Sequence, residues 1–232
     1  MQSTALHNIN QPPAKPSHLK VRLFFATITG YKKTKIKMQL EELLKKADDL
    51  KLAGRHDEAI QLANKMLMSD LDYVEAYEEL GDNYLSLREY DKSMKALKYA
   101  LRLNPKSANA LYLLGFLYSS IGDFEKSVET LEYANKIQPH HPEILRCLGW
   151  SIFHGGDRKR GLIILERART LAPSDTLVIC DLAVCYLNDR NFNRTIELLE
   201  HALRLEPENE KAKDCLETAK FFKREFEKLE NN

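Results

Sequence analysis

Through SANALYLLGFLYSSIG, residues 107–122, apolar residues recur at three- and four-residue spacing, and the run stops at a glycine. On a coil of about 3.6 residues per turn this spacing gathers the apolar side chains on one side, so it predicts a helix ending near Gly122. A second amphipathic run extends from Glu125 to Ile137. Pro139 then bars any continuation, because proline has no amide hydrogen to donate and its ring clashes with the preceding turn. Two such runs joined by a breaker predict a helix hairpin. Prolines also stand at 105, 173 and 207, so the four follow one another at intervals of 34 residues.

Other columns keep the same period. With units at 40–73, 74–107, 108–141, 142–175 and 176–209, position 7 reads Lys46, Leu80, Leu114, Leu148, Leu182, and position 8 reads Ala47, Gly81, Gly115, Gly149, Ala183. Position 24 is Ala63 and then leucine four times, while position 27 is Met66 and then alanine four times. The breaker at position 15 is Gly54, Arg88, Gly122, Gly156 or Arg190. Small residues at position 8 and at position 20 (Ala59, Ser93, Ser127, Gly161, Thr195) predict two helix backbones in close approach.

This pattern of Leu-Gly, Tyr, Ala and Pro resembles the tetratricopeptide repeat, over about residues 40–229. The resemblance implies an all-α, right-handed α-solenoid of helix-turn-helix hairpins whose first helices line a concave surface. The first unit departs from the pattern at Lys46 and Leu71, as an end repeat does. Residues 210–232 begin a sixth first helix and then diverge; they are expected to form a C-terminal capping helix that covers the last apolar face.

Positions 2, 5, 9, 12 and 13 lie roughly opposite the face that holds each hairpin together, and they are expected to form the groove. In the first two units they are largely acidic, with Glu41 and Asp48 and then Glu75, Glu78 and Asp82, and the last three are read as an acidic groove end suited to a basic flank of a partner. In the later units they turn apolar. Tyr112, Phe116, Trp150 and Phe153 are candidate anchors, Arg146 and His154 candidate orienting groups, and Val184, Leu187 and Asn188 complete the candidate peptide-binding groove. Inter-repeat packing is the competing role for each of these aromatics. Some members of the family clamp the C-terminal carboxylates of chaperone tails with lysine and asparagine at positions 5 and 9. Here those positions hold Leu44, Asp48, Glu78 and Asp82, which would repel such a tail.

Charge divides the chain. Residues 1–37 carry seven Lys or Arg and no acid, whereas all 34 acids fall in the remainder, which is mildly acidic. Residues 1–37 are therefore set apart as a basic, disordered segment, although KVRLFFATITGY has the composition of a strand. A start at Met38, a targeting segment and a functional tail are the three readings of this head. The repeat domain is taken as 38–209.

Chemistry is sparse. His140 and His141 stand in an inter-repeat turn, Cys180 and Cys185 diverge by about 140° around a helix, and GDRKRG at 156–161 reads as a solvated turn. Walker, GxSxG and HExxH patterns do not occur. No catalytic residue, cofactor or metal is expected. The four cysteines lack CxxC spacing and suit reduced thiols in a cytoplasmic protein. The sequence thus predicts a non-catalytic interaction scaffold or chaperone-like adaptor that binds a protein or peptide partner, with neither a nucleic-acid partner nor a transmembrane segment. The alternatives are a substrate-recruiting subunit of a larger catalytic assembly and a self-associating, homo-oligomeric scaffold.

Overall fold

The computed structural model describes residues 18–230, which form eleven α-helices and no strand. Helix α1 spans His18–Leu52 and pairs with α2 (His56–Ser69). Four further hairpins follow: α3 (Val74–Ser86) with α4 (Tyr90–Leu103), α5 (Ala108–Ser120) with α6 (Phe124–Ile137), α7 (Pro142–His154) with α8 (Arg158–Leu171), and α9 (Thr176–Asn188) with α10 (Phe192–Leu205). Helix α11, Glu210–Glu230, packs on α9 and α10 as the sequence predicts for the cap.

The periodic columns take up the roles their chemistry suggests. Helices α4, α6, α8 and α10 each end two residues before a proline of the 34-residue series. All five residues at position 15 have positive φ: Gly54 71°, Arg88 60°, Gly122 81°, Gly156 112° and Arg190 59°. A left-handed residue reverses the chain and ends the first helix, and glycine takes that conformation at least cost. Position 16 then caps the second helix, with Asp123, Asp157 and Asn191 accepting from the amides of Lys126, Arg160 and Arg194.

Inside each hairpin, the leucine at position 24 lies over the small residue at position 8. Leu97, Leu131, Leu165 and Leu199 are wholly buried, and each contributes about 2 kcal/mol by leaving water. Methyl groups added at Gly81 or Gly115 would come within 2.5 Å of the Leu97 or Leu131 side chain. Position 20 does more than stay small. Ser93 Oγ donates to the Gly81 carbonyl and Ser127 Oγ to the Gly115 carbonyl, both at 2.7 Å. In the fourth hairpin both partners are glycine: a methyl group at Gly161 would lie 2.8 Å from the Gly149 carbonyl oxygen and 2.7 Å from the Phe153 nitrogen.

The hairpins stack unequally. Among the described residues the backbone of each odd-numbered helix approaches the next odd-numbered helix as well as its neighbours in sequence, whereas even-numbered helices stand further apart and reach one another through long side chains, as Arg160 reaches Glu132 and Arg194 reaches Glu166. An array crowded on one side and splayed on the other bends, with the first helices on its inner face.

Two sequence expectations change. Residues 20–31, strand-like in composition, lie in α1, which passes through Met38 without a break, so residues 18–37 are helical rather than disordered. A strand needs a neighbour to receive its backbone hydrogen bonds, and no other strand exists among the described residues; a helix satisfies those groups internally. The rest of the segment expected to be disordered, residues 1–17, lies outside the described residues. None of the described helices is long and apolar enough to cross a membrane.

Candidate peptide-binding face

The inner face carries a pocket of about 300 Å³ built from three successive first helices. Helix α5 supplies Phe116, Ser119 and Ser120, α7 supplies Arg146, Cys147 and Trp150, and α9 supplies Asp181. Phe116 is 36% exposed, which is unusual for a phenylalanine on a helix that packs on both neighbours. Trp150 is half-buried and leans on His154, with ring centroids 4.1 Å apart and planes 29° from parallel. His154 Nδ1 donates to the Trp150 carbonyl at 3.0 Å, which holds the imidazole against the indole. Burial pushes the Cys147 thiol up to about 11, so the floor of the pocket is uncharged.

Arg146 is the polar wall. Its side chain is 12% exposed, and Nη1 donates to Asp181 Oδ2 at 2.7 Å. The contact uses one nitrogen only, and the buried Nε has no partner. Burial raises the Asp181 carboxyl above its ordinary range even though Arg146 pulls the other way. Tyr112, half-buried behind this pair, is a less ready acid than usual, chiefly because it is buried.

The remaining candidates divide. Val184 and Leu187 are half-buried on α9 and Asn188 is exposed at its end, beyond the pocket lining. Phe153 is 4% exposed and belongs to the core with Leu165 and Ile179, so it is no groove residue. It faces α8 at the point where Gly161 offers no side chain, and its Cβ and backbone nitrogen come up against that glycine.

The acidic end is also revised. Glu78 is buried, accepting from Ser107 Oγ and, at 2.8 Å, from Asn109 Nδ2, so it ties α3 to the start of α5 rather than facing a partner. Asp82 is half-buried and lies 2.9 Å from Lys51 Nζ. Lys51 also meets Glu79 at 2.9 Å and Asp48 at 3.2 Å. Burial opposes the charge on Lys51, but these carboxylates outweigh it and hold the ammonium well above its ordinary range. Glu75 stays exposed. Lys51 and Glu79 escaped the sequence reading although Lys51 occupies position 12, a groove position; its neutralising role depends on a contact 28 residues away.

His140 adopts a left-handed φ of 65°, and its Nδ1 lies 2.7 Å from Arg167 Nη2; His141 precedes α7 as its N-cap residue. Among the described residues no three His, Cys, Asp or Glu side chains gather in a metal-binding arrangement.

Two family profiles match the middle of the chain, one described as TPR repeat over residues 81–122 and one as tetratricopeptide repeat over residues 108–141. The second and third hairpins, which these profiles span, are tetratricopeptide repeats, and the other three carry the same periodic columns. Among solved structures, the tetratricopeptide repeat array is similar to TTC0263, a thermophilic TPR protein of Thermus thermophilus, at 19% identity with a TM-score of 0.71, over 78% of this chain and 99% of that one. It is similar to PilF of Pseudomonas aeruginosa at 13% identity and a TM-score of 0.67, over 80% and 90% of the two chains. YrrB, described as a TPR protein with an unusual peptide-binding site, aligns at 18% identity and a TM-score of 0.54, over 76% and 95%. At these identities the likeness is one of fold. No curated protein sequence matches the chain significantly.

Proposed function

We propose that this tetratricopeptide repeat protein is a non-catalytic interaction scaffold that holds a segment of a partner protein along its inner face. One apolar side chain of that segment sits between Phe116 and Trp150, and an acceptor oxygen beside it, a backbone carbonyl or a carboxylate, takes a hydrogen bond from Arg146. The observation that carries the reading is the pocket itself: two accessible aromatic walls, an uncharged floor and an arginine only singly engaged by Asp181. Rigid aromatic walls contribute binding energy with little loss of side-chain freedom, and a partly satisfied guanidinium still has donors to offer. The peptide-binding site for which YrrB is described gives the fold a precedent for this use.

The test is selection of binders from a random peptide display library on the intact protein. Peptides bearing a large apolar residue should be enriched. In fluorescence polarisation the double variant Phe116→Ala/Trp150→Ala should weaken them at least about tenfold, with helicity near native by circular dichroism. Equal affinity for the variant removes the pocket from the function.

A further inference from the structure

The contact between Arg146 and Asp181 belongs to a register that repeats along the inner face. The fifth residue of one first helix meets the sixth residue of the next, 35 residues later in the chain. Tyr112 lies beside Cys147 in this way, near enough for each to act on the other's ionisation after the larger effect of burial, and Arg146 meets Asp181 at 2.7 Å. One hairpin further on, the same register pairs Cys180 of α9 with Cys215 of α11. The two helices pack on each other, both thiols are free and half-buried, and both lie against the same apolar cluster. Burial first, then the neighbouring Asp181 and then Cys215 push the Cys180 thiol up to about 11, so Cys215 lies within electrostatic reach of it. The other two cysteines, Cys147 and Cys185, are sealed in the core.

We propose that Cys180 and Cys215 are a modification site, a dithiol that closes to an internal disulfide and fastens α11 to the last hairpin. The oxidant is a low-molecular-weight disulfide such as oxidised glutathione. One protein thiol loses its proton and attacks that disulfide; the reagent's S–S bond breaks, one reduced thiol leaves, and a mixed disulfide remains on the protein. The second protein thiolate attacks the protein sulfur of the mixed disulfide, forms the Cys180–Cys215 bond and expels the second reduced thiol. The protein gives up two protons and two electrons, and the reagent takes both. Helix α10 and its turns already hold the partners together, so the second step is favoured over a lasting adduct. The bond would fix the helix that carries the exposed Phe221 and Phe222 to the helix that carries Val184 and Leu187.

The experiment equilibrates the full chain in glutathione buffers from reducing to oxidising, quenches exchange with acid, blocks the remaining thiols by alkylation in denaturant so that the buried Cys147 and Cys185 react as well, and maps peptides by mass spectrometry. Closure predicts that two of the four thiols escape alkylation, that the unblocked mass falls by about 2 Da, and that Cys180 and Cys215 appear in one linked peptide. The thermal midpoint should rise by about 5 °C on oxidation. In Cys180→Ser or Cys215→Ser, folded as judged by circular dichroism, neither the link nor the rise should occur. Four alkylated thiols at the oxidising limit, or only glutathione adducts and links between chains, would overturn the proposal. The wild-type peptide map decides between these outcomes even where a serine variant fails to fold.

Discussion

Ser127 Oγ donates to the carbonyl oxygen of Gly115 at 2.7 Å, across the two helices of one hairpin and twelve residues back along the chain. Ser93 and Gly81 repeat the bond in the hairpin before it. The glycine brings the carbonyl within reach, and the hydroxyl supplies it with a second donor in a space too small for a larger side chain. Ser127→Ala should therefore lower stability by about 1 kcal/mol in urea denaturation, and Ser127→Val by more, because the added methyls crowd α5. Equal effects would mean that volume alone matters at this position.

The fourth hairpin should respond the opposite way to the residue its neighbours prefer. Gly161→Ser restores the serine found at Ser93 and Ser127, yet its Cβ would press on backbone atoms of Gly149 and Phe153 within 3 Å. A loss of about 2–3 kcal/mol is expected in the same assay. A stabilised variant would show that α7 and α8 separate readily.

Gly122 tests conformation apart from packing. A methyl group there would meet no atom within 4 Å, but its φ is 81°. Gly122→Ala should cost about 1 kcal/mol through the backbone alone, seen as a lower thermal midpoint with unchanged helicity.

Arg146 and Asp181 should behave as a unit. Asp181→Ala leaves a largely buried guanidinium without its partner, and a loss of about 2–3 kcal/mol is expected. The double change Arg146→Met/Asp181→Leu should recover most of it, since two apolar side chains need no partner there. A double-mutant cycle measured by urea denaturation gives the coupling directly.

Glu166 joins two hairpins. Tyr186 and Arg194 donate to its Oε1 at 3.0 and 3.3 Å, and Arg169 to its Oε2 at 3.0 Å. Burial works to raise its carboxyl, but these donors outweigh it and hold the group below its usual 4.5. A depressed carboxyl stabilises the fold above the unfolded-chain value, and that contribution disappears as pH falls through the lowered one. Wild type should therefore exceed Glu166→Gln in stability, by at most about 1 kcal/mol, at pH 6, and the gap should close as the medium is acidified past the ordinary carboxylate range. A gap independent of pH would exclude a charge-based role.

The repeat was legible because every hairpin uses the same few contacts, so proline, left-handed turn, small residue and leucine return in phase. Contacts between hairpins were less so. Glu78 looked like a groove acid on its own helix, but Ser107 and Asn109, 29 and 31 residues later, enclose it. Phe153 looked like a groove aromatic because a helical wheel shows direction and not the missing side chain at Gly161, against which Phe153 is drawn close to α8 and into the core with Leu165 and Ile179. In α1, the β-branched and aromatic run at 20–31 suggested a strand, and composition cannot reveal that no partner strand exists among the described residues.

The bare meeting of Gly149 and Gly161 leaves nothing between two main chains that could slide or give. So close a join should make this hairpin a stiff link in a springier ribbon, and it stands beside the pocket at Trp150. Drawn out by its ends in an optical trap, the ribbon would lengthen above and below this link first, so a bound segment would feel the stretch at its tails before it felt it at its anchor.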